Sequence, residues 1–217
     1  MIEANDQEAL FRLIAEYLER DIDCVCIGGT AMMFLGYKTT TKDIDLIFQI
    51  EKDRSLFIGA IERLGYTRKS ITSVYSKHIK KRKNEPWIFS RGEERFDLFV
   101  KDVFGFVINP EKENFVQRHD FIGKKELRIK VLPKEHLILL KVVTDREKDY
   151  EDIESIIQIE KDINWDFIID EAISERVKVP WILIDLEEKM QKLRKITLIK
   201  EKYFGKIYNA EKRFSSK

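Results

Sequence analysis

Three acids stand where strand-like runs would set them on a common surface. In Asp43-Ile44-Asp45-Leu46 the two carboxylates are two residues apart. Along a strand such residues point to one side, leaving Ile44 and Leu46 for the other. Asp97, within Arg95-Phe96-Asp97-Leu98-Phe99-Val100, likewise faces away from Phe96 and Leu98. If the two runs are neighbouring strands, three carboxylates converge. Crowded carboxylates raise one another's pKa unless a cation sits between them. Hard oxygen donors of this kind suit Mg²⁺, which also carries substrate phosphates. Two such ions can clamp the attacking and leaving oxygens of an in-line phosphoryl displacement. The plainer alternative is a pair of turn-forming acids at an exposed strand start.

Gly28-Gly29 lies between the apolar run Cys24–Ile27 and a short helical stretch opening at Thr30. Paired glycines permit a turn with positive φ and a close approach of another group. Backbone N–H groups at the following helix start can cradle phosphate. Lys42, immediately before the acids, could meet phosphate or balance charge. Lys141 interrupts Leu137-Ile138-Leu139-Leu140-Lys141-Val142-Val143, an apolar helix segment. Either it snorkels to solvent, or it aims a cation at a polyphosphate. Beyond it, Asp145, Lys148, Asp149 and Asp152 fall along one helix side, which reads as a salt-bridged solvated face or a cleft border.

These groups need positioning. Asn5 with Glu8 reads as a capping box, followed by the helical stripe Leu10, Leu13, Ile14, Tyr17 and Leu18. Cys24–Ile27 reads as a buried strand, Thr30–Leu35 as a helix closed by Gly36, and Asp43–Ile50 as a strand. Asp53 is placed to cap a helix carrying Leu56, Phe57, Ala60, Ile61 and Leu64, ended by Gly65. Trp87–Phe89, Arg95–Val100 and Leu127–Leu132 follow as strands. After Pro133 the periodicity is helical over about 134–145, 146–160, 165–176 and 181–204, with Asn164 as a cap. The expected class is α/β (α+β): a mixed sheet with flanking helices in 1–132, and a helical domain in 133–217 that completes a cleft.

With 43% hydrophobic residues and 14 Phe the chain can bury a real core, which excludes general disorder. Its 40 basic residues nearly cancel 39 acidic ones, so it is no nucleic-acid coat protein. Basic excess is local, at Lys77-His78-Ile79-Lys80-Lys81-Arg82-Lys83 and from Asp185 to Lys217, where ten Lys/Arg meet five Asp/Glu. Cys24 and Cys26 share a strand face as small hydrophobes, and with His78, His119 and His136 they form no metal pattern. The acidic start Met1-Ile2-Glu3-Ala4-Asn5-Asp6 is unlike a signal peptide, and apolar runs such as His136–Val143 are too short to span a bilayer. A cytoplasmic protein is expected.

The joint pattern resembles the DNA polymerase β superfamily of nucleotidyltransferases: a hydrophobic residue and Gly-Gly, a spacer of about a dozen residues, Asp-hydrophobic-Asp, then a lone Asp in a later strand. Here thirteen residues separate Gly29 from Asp43. Gly28-Gly29-Thr30-Ala31, Thr41-Lys42-Asp43-Ile44-Asp45 and the distal Lys-bearing helix are similar to the abortive-infection and type IV toxin branch. The resemblance implies an NTP substrate and a two-metal Mg²⁺ site. Asp43 and Asp45 would ligate both metals, and Asp97 would complete the catalytic one and help deprotonate the acceptor. Gly28, Gly29 and Thr30 would hold phosphates, Thr30 standing in for a Ser common among members, and Lys141 would reach the triphosphate. The implied acceptor is RNA (a tRNA 3′ end) or protein, with a possible antitoxin partner and no membrane. Transfer to a small molecule, as in antibiotic adenylyltransferases, and a non-catalytic antitoxin-like binding protein are the alternatives.

Overall fold

The computed structural model describes residues 2–69, 85–109, 115, 117–144 and 146–215 of the chain. The basic stretch Lys77–Lys83 and Asp145 lie outside the described residues. Two compact units emerge. One holds 2–69, 85–103 and 107–133; the other holds 104–106 and the chain from Lys134 onward.

In chain order the first unit contains β1 (Ile2–Glu3), α1 (Ala4–Tyr17), β2 (Ile22–Ile27), α2 (Gly28–Phe34), β3 (Thr40–Thr41), β4 (Asp43–Phe48), α3 (Glu51–Arg63), β5 (Thr67–Lys69), β6 (Trp87–Arg91) and β7 (Glu94–Val100). The two-residue strands β8 (Asp102–Val103) and β9 (Phe106–Val107) follow, then β10 (Gln117–Ile122) and β11 (Glu126–Val131). Seven strands make a mixed sheet in the order β10-β11-β2-β4-β7-β6-β5. β4 is central, antiparallel to β2 and parallel to β7. Ile44, Leu46, Phe96 and Leu98 are fully buried. They share a face with Phe48, whose ring lies 5.3 Å from Phe57 of α3, and Phe57 meets Phe96 at 5.6 Å. On the same face α1 covers the β10–β11 side, with Phe11 5.1 Å from Phe121. Alternation at the start of β4 and β7 therefore puts the acids on the side away from this aromatic, helix-covered face, and beyond them that second side is apolar and buried too, at Val25, Ile47 and Phe99.

Several local expectations shift. α1 begins at Ala4 with Glu3 as its N-cap and no side-chain cap bond, so Asn5 and Glu8 form no capping box. Its inward stripe is Gln7, Leu10, Phe11, Ile14 and Ala15, while Leu13 and Tyr17 are exposed. The small Ala15 and the amide of Gln7 let the helix lie close to the sheet, and a reading by hydrophobicity alone selects the neighbouring positions. Ile50, not Asp53, caps α3. β5 and β10 escape a hydrophobic-pattern reading because β5 is exposed throughout and β10 buries only Phe121.

The second unit contains α4 (Lys134–Thr144), α5 (Glu147–Ile159), α6 (Trp165–Glu175), α7 (Ile182–Leu193) and α8 (Glu201–Ser215). α4 is its hub: every residue from His136 to Thr144 is buried, and α5, α6 and α7 all pack on it. Asn164 caps α6 as expected, accepting a hydrogen bond from Phe167 N at 3.0 Å. The single helix expected over 181–204 is two helices. Branched Ile196, Thr197 and Ile199 resist helix between them, and Ile199 is buried while Leu198 is 85% exposed. Among the described residues no helix is long and apolar enough to cross a membrane.

Candidate active site

The strand register sets the acids. Asp45 lies directly beside Asp97 across β4 and β7, and Asp43 lies beside Arg95. Residues paired in register point to one side, so Asp43, Asp45, Arg95 and Asp97 share the face opposite Ile44 and Phe96. At this end of that face β2 contributes Ile27, and β6 contributes Ile88 and Ser90. One guanidinium therefore stands among three carboxylates.

Arg95 was not foreseen as part of the site, although it sits two residues before Asp97 and the same parity argument includes it. Its Nε and Nη2 each donate to an oxygen of Asp97 at 2.6 Å, a bidentate pair, and Nε lies 3.9 Å from Asp43 Oδ1. The Asp97 side chain is 3% exposed, whereas that of Asp43 is 26% exposed. The donor set, hard carboxylate oxygens on one face, fits a divalent cation by its chemistry. Among the described residues, however, no three His, Cys, Asp or Glu lie at ligand spacing.

The turn at Gly28-Gly29 is built around these acids. Gly28 has φ +56°, a left-handed conformation that favours glycine. A Cβ at Gly28 would overlap the carboxylate of Asp45, and one at Gly29 would overlap Thr41 Oγ1. The missing side chains thus admit the start of the acid strand onto the turn. Thr41 Oγ1 in turn donates to Asp43 O at 3.0 Å.

Thr30, expected as a phosphate hydroxyl, is fully buried. Its Oγ1 accepts from Asp45 N at 3.3 Å and lies 3.4 Å from Gln7 Nε2, which donates to it. In this structure the hydroxyl therefore ties α1 and α2 to the backbone of Asp45. Gln7 is a second residue that sequence reading passed over, since an amide within a helical stripe carries no distinctive signal. Lys42 is exposed beside the acids. A depression of about 400 Å³ opens along Gly36, Tyr37, Lys38, Thr39 and Thr40, the segment leading from α2 to the acid strand.

Lys141 is in the helical unit and is 4% exposed. Its Nζ donates to Asp149 Oδ1 at 3.2 Å and to Asp152 Oδ2. Arg146 also clasps Asp149, with Nε and Nη2 each at 3.0 Å, and Thr144 Oγ1 donates to it at 2.7 Å. Burial alone would raise the Asp149 pKa. The Arg146 hydrogen bond, the charges of Lys141 and Arg146 and the Thr144 hydroxyl outweigh it, holding this carboxyl well below its ordinary value. Asp149 and Asp152 are thus not on a solvated face, whereas Lys148, just before Asp149, is exposed. The C-terminal basic excess is met in part by Asp166 and Asp170, which pair with Lys202 and Lys206. Both cysteines are buried on the helix-covered face, and burial pushes both thiols up, which fits packing rather than reactivity.

Carboxylates on one face of adjacent strands, beside a glycine turn packed on one of them, are the kind of donor set that metal-assisted phosphoryl transfer uses. The chain belongs to the family described as nucleotidyltransferase of unknown function (DUF6036), which matches residues 8–203. Its substrate class is accordingly a nucleoside triphosphate. No curated protein matches the chain in sequence. Among solved structures it is similar to ANT(2″)-Ia in complex with adenylyl-2″-tobramycin, at 15% identity over 79% of this chain and 97% of that one, with a TM-score of 0.48. It is also similar to JHP933 from Helicobacter pylori, at 15% identity over 100% of this chain and 96% of that one, with a TM-score of 0.40.

Proposed function

We propose that the chain moves a nucleoside monophosphate from a Mg²⁺-bound NTP to a macromolecular acceptor, a tRNA 3′ end or a protein side chain. The observation that carries this reading is the register that places Asp45 beside Asp97, with Asp43 on the same face and Asp45 seated on the Gly28 turn. Asp43, Asp45 and Asp97 would hold two Mg²⁺ ions, which when bound neutralise charge building up on the transferred phosphoryl group. The work of the chain is then positional. Thr30 and Gln7 fix the backbone of Asp45, the Gly28-Gly29 turn offers backbone N–H groups to phosphate, and Lys42 adds an exposed cation. Asp97, buried and acceptor-only when ionised, is the group to receive the proton of the attacking hydroxyl. Lys141, already engaged by two carboxylates, supports α4 and α5 rather than the triphosphate.

A macromolecular acceptor is favoured by the local basic stretches, Lys77–Lys83 and the carboxy-terminal helices. The role of a toxin held by an antitoxin partner belongs to this same reading. Purified protein incubated with each α-³²P-labelled NTP, Mg²⁺ and either total RNA, cleared lysate or an aminoglycoside tests it. The expected result is label in precipitable RNA or protein. Label appearing only on the small molecule replaces this acceptor with the antibiotic-type alternative, and no label under any condition overturns transfer to these classes.

A further inference from the structure

We infer that Arg95 is the resident counter-cation of the acid face, and that a divalent cation enters the site by displacing its guanidinium from Asp97. The inference rests on the metal-dependent reading above and adds a residue that reading does not assign.

The geometry leaves little choice. Arg95 and Asp97 are two apart on β7, and Arg95 is in register with Asp43 on β4. Its guanidinium lies over the acids and turns one planar edge to Asp97, Nε donating to Oδ1 and Nη2 to Oδ2, each at 2.6 Å. A nearly buried carboxylate without a partner would be costly, and its repulsion with Asp45 next to it would spread the strands' side chains apart. Arg95 removes that cost. The pair occupies one lone pair of each Asp97 oxygen and sets the guanidinium on the face the acids share. With the pair closed, no three acids among the described residues stand at ligand spacing, so for Asp97 to join Asp43 and Asp45 around one ion the bidentate pair has to open.

Charge counting explains why displacement can still be favourable. Arg95 grips Asp97 bidentately and reaches Asp43 only at 3.9 Å, so one guanidinium serves two carboxylates, and a doubly charged ion matches them better than Arg95 does. Arg95 would then act as a placeholder. It keeps Asp97 in its rotamer while no metal is bound and sets a threshold of free metal below which the site stays closed. This makes Arg95 a positioning residue, acting through Asp97.

The test is calorimetric titration with Mn²⁺ alone, without nucleotide, of the wild-type chain, Arg95→Met and Arg95→Lys, together with thermal melting. Met keeps the stem's packing and removes the cation. Lys keeps the charge and loses the bidentate pair. Arg95→Met should bind Mn²⁺ tighter by about tenfold or more, the scale of one charge-assisted hydrogen bond, with Arg95→Lys between it and wild type. Metal-free Arg95→Met should melt lower than wild type, and saturating Mn²⁺ should raise its melting temperature by more. Should Arg95→Met fail to fold, Arg95→Lys carries the test, with tighter binding than wild type expected. Wild-type binding that is unchanged or weakened in the variants overturns the placeholder role and leaves the metal reading standing. No Mn²⁺ binding by any of the three proteins overturns the metal reading and this inference with it.

Discussion

Two charged clusters in this chain have nearly the same ingredients and opposite designs. In the helical unit, two cations, Lys141 and Arg146, meet two carboxylates, Asp149 and Asp152, with the Thr144 hydroxyl filling in, and both carboxylates and the ammonium are buried. On the sheet, Arg95 grips Asp97 and lies 3.9 Å from Asp43, with Asp45 on the same face, and Asp43 and Asp45 stay partly open. A balanced, closed cluster has nothing left to bind and holds α4 to α5. The partly open cluster at the start of β4 is, on the function proposed above, the one that takes a further positive charge. The difference shows why an acid-rich or lysine-bearing motif cannot be assigned by residue type alone; the stoichiometry of its neighbours decides.

The comparison can be broken at either end. Lys141→Met should leave Asp149 and Asp152 buried without their shared ammonium and destabilise the chain by roughly 3–5 kcal/mol. NTP affinity of the fraction still folded should be unchanged; denaturant melts and calorimetry with NTP measure the two. A loss of NTP affinity with stability intact would return Lys141 to the triphosphate. Gly28→Ala forces a side chain into a left-handed backbone and against Asp45, costing about 1–2 kcal/mol. Transfer activity should fall more than stability does, because the displaced group is the acid itself. Equal melting temperature and activity in Gly28→Ala would show that the turn does not set Asp45.

The smallest effect is a pH dependence. Asp149 is depressed below its ordinary 3.8, so it binds fewer protons folded than unfolded. Its stabilisation is complete above that ordinary value and is lost as pH falls from there toward its lower folded value. The slope is at most about 1.4 kcal/mol per pH unit. Chemical denaturation at a series of pH values from 5 downward should show this acid loss, and Asp149→Asn should flatten it.

Much of the sheet could be read directly. DIDL and RFDL alternate before each strand runs on into Ile47-Phe48 and Phe99-Val100, so the strands and the side each acid takes on its own strand follow from parity. That β4 and β7 are neighbours, with Asp45 against Asp97, was the assumption those patterns required, and the fold supplies it. Arg95 obeys the same parity, but a lone arginine in a strand carries no signal of its own until Asp43 is set beside it. Thr30 was another matter: which way a hydroxyl at a helix start turns depends on β4 and α1 packing beside it. Lys141 and its partners are 8 and 11 residues apart. That spacing joins two helices, so no periodicity within one helix could reveal it. The break between α7 and α8 was hidden because Ile196 and Ile199 extend a helix-like apolar pattern through residues that do not favour helix.

If the acid face is the chemical centre of the protein, Asp45→Asn abolishes its chemistry and spares its fold. The substitution is nearly isosteric, keeps the backbone N–H that Thr30 accepts, and removes a charge from a crowded cluster. Transfer of α-³²P label in Mg²⁺, measured beside a thermal melt of the same preparation, should fall by about 10²–10³-fold or more, with the melting temperature unchanged or slightly raised. Wild-type labelling by Asp45→Asn, or a variant that unfolds instead of losing activity, would contradict the account and make this carboxylate a structural group.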